Sequence, residues 1–443
     1  MKRTILAALL SAAVALSGAA APGPDGAKFW PAWRGPLGTG AAAEANPPVE
    51  WSETKNVKWK VEIPGLGSST PIVWGDTIYV LTAVPADPAT LAGANTWDRS
   101  SGRPPLLAPA KQKFAVLAVS RSDGKIRWEK TLREAVPHEG VHFTNTWASA
   151  SAVTDGELLF AYFGSHGLYC LDRNGNLKWE KDFGDMKTRN GFGEGTSPAL
   201  AGNKLVVIWD HEGEDFIIAL DKKNGKELWR TPREEPTSWT TPLVIEFNGK
   251  QQVVTSATNR VRSYDLESGK LLWETSGMTA NAIPSPVAGD GLVYVTSGFR
   301  GNALLAIRLA AAQGDISASA DAIAWRYDRD TPYVPSPLLY NGQIYILKSN
   351  NGILTSFNAK TGEKLYDAQR LEAVPNVYAS PVGAGGRVYI AGRDGGVAVL
   401  EAGPEFKMLA ANTLEDRFDA SPVAVENELY LRGRKFLYCI AEK

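Results

Sequence analysis

The chain has 443 residues, 44% of them apolar and 21% charged, ample material for a large core and too hydrophobic a balance for disorder. Lys plus Arg is 47 against 48 for Asp plus Glu, so no basic field exists to hold a phosphate backbone, and nucleic acid is excluded as a partner class. With 43 Gly, 27 Pro and 14 Trp, the composition disfavours a helical bundle and suits many short strands joined by tight turns. At the N-terminus, Lys2 and Arg3 precede an apolar run from Ile5 to Leu16 and then Ser17, Gly18, Ala19 and Ala20. That is the pattern of a signal peptide over residues 1–20, and it predicts a periplasmic or secreted protein. The run is shorter than the roughly 20 residues a spanning helix needs, and no later window reaches that length, so no membrane span is expected.

An extension over 21–56 follows, and then Asn56 to Val61, which has the pattern of an outer propeller strand. Beyond it a small residue and Pro recur at the head of alternating apolar segments: Thr70-Pro71, Ser197-Pro198, Thr241-Pro242, Ser285-Pro286, Ser336-Pro337, Ser380-Pro381 and Ser421-Pro422. From Pro198 the spacings are 44, 44, 51, 44 and 41, and a copy at Ala150-Ser151 keeps the strand without the Pro. A period of about 40–45 residues holding four short strands is that of a β-propeller blade. In the third unit, strands a to d are expected at 198–201, 204–209, 216–220 and 227–231. Strand d commonly opens on Gly-x-x-x-Trp, as in Gly124 to Trp128, Gly225 to Trp229 and Gly269 to Trp273; Gly allows the turn, and the ring can cover the next blade. Residues 84–113 and 308–322 interrupt the period as insertions.

The eighth unit stops after its c strand, 436–440, and Asn56 to Val61 supplies the missing d strand. The predicted fold is therefore all-β, an eight-bladed propeller over 57–443 closed by an N-terminal strand that completes the last blade, which removes open sheet edges. Cys170 and Cys439 fall in c strands of non-adjacent blades, too far apart for a disulfide, and are expected to be buried thiols.

The Trp-bearing repeat, as in Ala219-Leu220-Asp221-Lys222-Lys223-Asn224-Gly225-Lys226-Glu227-Leu228-Trp229, resembles the quinoprotein-type (PQQ-like) propeller repeat over about 57–443. Together with Trp30-Pro31-Ala32-Trp33-Arg34-Gly35-Pro36 and Trp51 to Asn56, it resembles exported bacterial PQQ-like propeller proteins of the planctomycete type. The resemblance implies the fold and an exported location. Quinoprotein alcohol dehydrogenases of this shape hold PQQ against a disulfide between adjacent cysteines and bind calcium; this sequence has neither a Cys-Cys pair nor a Cys-x-x-Cys-His haem motif. The barrel-assembly scaffold lipoprotein of the outer membrane shares the fold, but its lipidated cysteine has no counterpart here.

In a four-stranded meander the d-to-a and b-to-c connections emerge on one face, here called upper. All four histidines fall there: His138 and His142 between blades 1 and 2, His166 in blade 2 and His211 in blade 3. Glu139, Arg189, Asn190, Glu194, Asp210 and Glu212 accompany them as ligand-binding candidates. His138, His142, His166 and His211 are candidate ligands for a divalent metal, since loops can converge distant imidazoles. The string His138-Glu139-Gly140-Val141-His142 reads His-Glu-x-x-His, but Pro137 and Gly140 deny it the helix that a zincin requires. In the glycine-rich run 189–195, Arg189 and Glu194 are expected to face the channel mouth or to pair with each other. The expected function is an exported binding or scaffolding propeller that presents blades 1–4 to an extracellular ligand or protein partner. The alternative is an enzyme: a metal-assisted lyase or hydrolase acting on an extracellular polymer, or a divergent quinoprotein oxidoreductase.

Overall fold

The structure is a computed structural model that describes residues 26–87 and 106–442; the predicted signal peptide and the middle of the first insertion lie outside the described residues. Eight sheets, each containing a four-stranded meander, are arranged as a propeller. In blade 3 the strands run Ala199–Ala201, Lys204–Trp209, Asp215–Asp221 and Glu227–Arg233, within two residues of the sequence expectation. Blade 8 contributes Val423–Val425, Glu428–Arg432 and Phe436–Ile440, and its d strand is Val57–Glu62, paired antiparallel with Trp59 opposite Cys439 and Val61 opposite Leu437. The ring is closed by this N-terminal strand. Cys170 and Cys439 are buried free thiols in the c strands of blades 2 and 8.

Neighbouring blades interlock through the repeat's Trp and Gly. The indole N–H of Trp179 donates to Lys222 O at 2.9 Å, that of Trp229 to Leu266 O at 2.9 Å and that of Trp325 to Ala359 O at 2.8 Å, each on the next blade. The rings lie against Gly225, Gly269 and Gly362, whose φ values of +69°, +71° and +72° suit glycine and where a Cβ would meet indole carbons. One residue type thus supplies both the turn and the clearance.

The Ser/Thr-Pro repeat has a different task. Each hydroxyl at the head of strand a accepts the backbone N–H of its counterpart one blade back: Thr70 to Ser151, Ser151 to Ser197, Ser197 to Thr241, Thr241 to Ser285, Ser285 to Ser336, Ser336 to Ser380, Ser380 to Ser421 and Ser421 to Thr70. All eight bonds are 2.8–3.1 Å long and form a closed ring around the axis. A buried amide needs a partner, and these inner edges have no neighbouring strand to provide one. Pro brings no further N–H and holds the residue before it extended. Ser151, followed by Ala152, keeps the hydroxyl and so keeps its place in the ring.

The segment before the closing strand crosses the lower mouth of the channel. Trp30 exchanges backbone bonds with Val73 of blade 1, Pro31 O accepts from Thr154 of blade 2, Thr39 O accepts from Leu339 of blade 6, and Ala41–Ala42 pairs in parallel with strand a of blade 7. Arg34, 5% exposed, donates to Pro337 O at 2.8 Å and Pro381 O at 3.2 Å; burial pushes its pKa down to about 9. The extension is a plug, a role that its Gly- and Pro-rich, aperiodic sequence does not announce. The second insertion covers an edge: Gly314–Asp315 adds a short parallel strand outside strand d of blade 4. Among the described residues no helix is long and apolar enough to cross a membrane.

Candidate functional site

Above the hydroxyl ring the channel widens into a cavity of about 410 Å³, within the size range of small-ligand sites. Trp33 of the plug borders both this cavity and a smaller one of about 80 Å³ below it, and so partitions the channel. The wall follows a rule. The residue two positions before each ring hydroxyl lines the cavity: Ser68, Ser149, Gly195, Trp239, Ile283, Val334, Tyr378 and Asp419, in blade order. Blades 1–3 contribute the small members, blades 4–7 the bulky apolar ones, and blade 8 a carboxylate. Phe192, Phe299 and Tyr333 extend the apolar side, the last two stacked with centroids 4.8 Å apart. His142, Thr144 and Asn145 line the polar side.

The sequence-predicted residues gather on the upper face, mostly around the connection 182–198 between blades 2 and 3. His138 Nε2 is 2.6 Å from Met186 O, and its Nδ1 is 3.6 Å from Asp185. Glu139 accepts the amide of Thr188 at 3.2 Å and also its hydroxyl. His211 Nδ1 accepts the Lys187 amide at 3.0 Å, and Glu212 accepts the amide and hydroxyl of Thr237, whose oxygen in turn accepts the Arg189 amide. These groups hold the connection in place. Arg189 to Gly191 forms one 3-10 turn, with Asn190 exposed at φ +54°. Asp210 forms a fully enclosed ion pair with Arg233 at 2.6 Å.

Pairing with Arg189, one of the two arrangements expected for Glu194, is not the one formed. The Glu194 carboxylate accepts the amide and hydroxyl of Ser165 at 2.8 and 2.6 Å, because the turn at Gly164 leaves room for it where a Cβ would collide. Beside it a cavity of about 30 Å³ also touches His138, His166 and the phenol of Tyr162, which is buried without a hydrogen-bond partner. Burial raises the Glu194 pKa to about 7, against the lowering effect of Ser165. His166 stacks on Phe114 at 4.1 Å, and burial, followed by the charges of His138 and Arg133, pushes its pKa down to about 4.

Of the histidines, His142 is the one that reaches the axial cavity, its Nδ1 2.7 Å from Thr144 Oγ1, with its pKa lowered by burial and then by Arg393. Val141–His142 is a short strand paired with Leu106–Leu107 of the first insertion, so the His-Glu-x-x-His string is not helical. Among the described residues, no group of three or more His, Cys, Asp or Glu side chains is placed to hold a metal ion.

The Glu194 environment carries a pH prediction. An unfolded carboxyl titrates near 4.5 and the folded one near 7, so the stabilisation is complete below 4.5 and is lost as the pH rises through 7. The loss is on the order of 3–4 kcal/mol at about 1.4 kcal/mol per pKa unit. Glu194→Gln should therefore gain stability relative to wild type between pH 5 and 8, read from urea midpoints. Parallel pH curves for the two proteins would refute the assignment.

Trp239, Phe299, Tyr333, Tyr378 and Asp419 are absent from the sequence-derived candidates, which favoured titratable loop residues. The signal was their fixed place, since Trp239, Tyr378 and Asp419 stand two residues before a hydroxyl already visible as a repeat.

Comparison with known proteins agrees with the geometry. No curated protein matches the sequence. Among solved structures, BamB from Moraxella catarrhalis aligns with a TM-score of 0.58 at 13% identity, covering 87% of this chain and 97% of its own. A europium-containing methanol dehydrogenase aligns at 0.61 with 10% identity, covering 91% and 89%. The quinohemoprotein alcohol dehydrogenase ADHIIG from Pseudomonas putida aligns at 0.57 with 10% identity, covering 93% and 80%. At such identities these likenesses show the propeller fold alone. The family model described as outer membrane protein assembly factor BamB matches residues 112–316 and 279–404, more than half of the sequence, and the chain belongs to that family of PQQ-like β-propeller repeat proteins.

Proposed function

We propose that the protein is an exported binding propeller that takes a small ligand with a flat apolar surface into the axial cavity from the upper face of blades 1–4. The observation that carries this reading is the cavity itself, about 410 Å³, partitioned below by Trp33 and walled by Trp239, Tyr333 and Tyr378 opposite His142 and Asn145. Apolar walls with a few convergent polar groups are the usual composition of a ligand site. The side chains of His138, Glu139, Glu194, His211 and Glu212 serve this reading by fixing the connections that form the cavity's rim. A partner protein's side chain entering the same cavity is the scaffold form of this reading, which membership of the BamB family supports.

Filling the cavity tests it. Val334→Trp adds a ring to a cavity-lining position without removing any member of the hydroxyl ring. In a thermal-shift screen of aromatic acids, nucleobases and monosaccharides, some compounds should raise the melting temperature of the wild type and leave Val334→Trp unmoved. Equal shifts in both proteins, or none in either, would remove the reading.

A further inference from the structure

Arg432 ends strand b of blade 8, beside blade 1, and is 2% exposed. Its Nη1 donates to Ser69 O at 2.8 Å and to the Ser69 hydroxyl. Burial alone shifts its pKa, down to about 9, with no carboxylate opposing the shift. Gly67 makes room for the group, since a Cβ there would overlap Nη2. A buried guanidinium without a counter-charge is costly.

The guanidinium borders a cavity of about 40 Å³ lined also by Arg417, Arg434, Thr144, Asn145 and Asp419. The two nearby carboxylates are already engaged. Asp419 lies 2.5 Å from Arg393 and 3.1 Å from Arg417, and Asp416 accepts the backbone amides of Arg434, Lys435 and Phe436. Arg393 and Arg417 thus occupy Asp419, backbone amides occupy Asp416, and the one guanidinium lining this cavity that is both buried and without an acid is Arg432. Planar guanidinium groups match the paired oxygens of a carboxylate or phosphate.

We propose that this pocket at the junction of blades 8 and 1 binds an oxyanion, the carboxylate or phosphate group of a ligand, through Arg432, Arg434 and Arg417. The site adjoins the axial cavity, with which it shares Thr144, Asn145 and Asp419, but it stands or falls independently of the reading above.

Calorimetric titration of the full chain at low chloride with inorganic phosphate, acetate and benzoate tests the assignment. Saturable binding of at least one anion is expected, weakened about tenfold or more in Arg434→Ala and abolished in Arg432→Met. Arg434 is exposed, so its variant reports on binding even if Arg432→Met fails to fold. Phosphate and acetate binding at similar strength supports a free oxyanion as the ligand. Benzoate binding at least tenfold more tightly than acetate, with that advantage lost in Val334→Trp, supports the acid group of a larger ligand whose body occupies the axial cavity. No saturable heat with any of the three anions, or dissociation constants unchanged in Arg434→Ala, overturns the proposal.

Discussion

A chain lacking residues 1–62 is expected to be insoluble or to melt far below the full-length protein, whereas one lacking residues 1–25 keeps its melting temperature. The longer deletion removes the whole d strand of blade 8, paired from Val57 with Ile440 to Glu62 with Phe436, together with the plug. It also removes Trp30 and Trp51, at 0% and 4% exposure. Each buried Trp is worth about 3–5 kcal/mol on truncation. Two of them and a strand of backbone bonds rival the roughly 5–15 kcal/mol that separates folded from unfolded states. Circular dichroism melts decide the matter, and a synthetic peptide of residues 26–62 added in trans should restore part of the loss. Indistinguishable melts for the two deletions would mean that the ring does not depend on this strand.

Arg233→Met should be the most damaging single substitution on the upper face, costing about 3–5 kcal/mol. Arg233 and Asp210 are fully enclosed, and Arg233 also donates to Thr255 Oγ1 at 2.9 Å and to the Tyr264 hydroxyl at 2.8 Å, while Ser238 donates to Asp210 at 2.7 Å. Both charges belong to blade 3, and the bonds of Arg233 to Thr255 and Tyr264 tie them to blade 4. Removing the cation alone leaves Asp210 charged in a dry site; removing both charges, as in Asp210→Leu with Arg233→Met, should recover most of the loss. Urea midpoints of the two single variants and the double variant measure the coupling. Strict additivity of the single losses would show that the charges do not depend on each other.

The propeller was legible because its determinants are periodic. Gly225 with Trp229, and Ser336 with Pro337, recur at fixed offsets, and the charged-apolar alternation of Lys58, Trp59 and Lys60 was enough to place the closing strand within one residue of Val57–Glu62. The plug was not legible, because Trp30 to Asn46 bonds to blades 1, 2, 6, 7 and 8 through partners that run from tens to hundreds of residues away, and no local period records such contacts. The site was half legible. Topology put the four histidines in d-to-a and b-to-c connections but did not say what each would bond: His138 and His211 turn to the backbone of Met186, Lys187 and Glu214, and His142 alone of the four turns to the axial cavity.

The rule that positions the wall of the axial cavity has an evolutionary consequence. Because the lining residue stands two places before the ring hydroxyl in every blade, the wall of the axial cavity is divided into eight sectors, each encoded at one codon and separated in sequence from the bonds that keep the ring closed. Exchanging Ser68 or Gly195 for a bulkier residue, or Trp239 for a smaller one, would reshape one sector while Thr70, Ser197 and Thr241 continue to hold the circle. A scaffold arranged in this way can change the shape of its cavity one sector at a time while the ring of hydroxyl bonds stays closed.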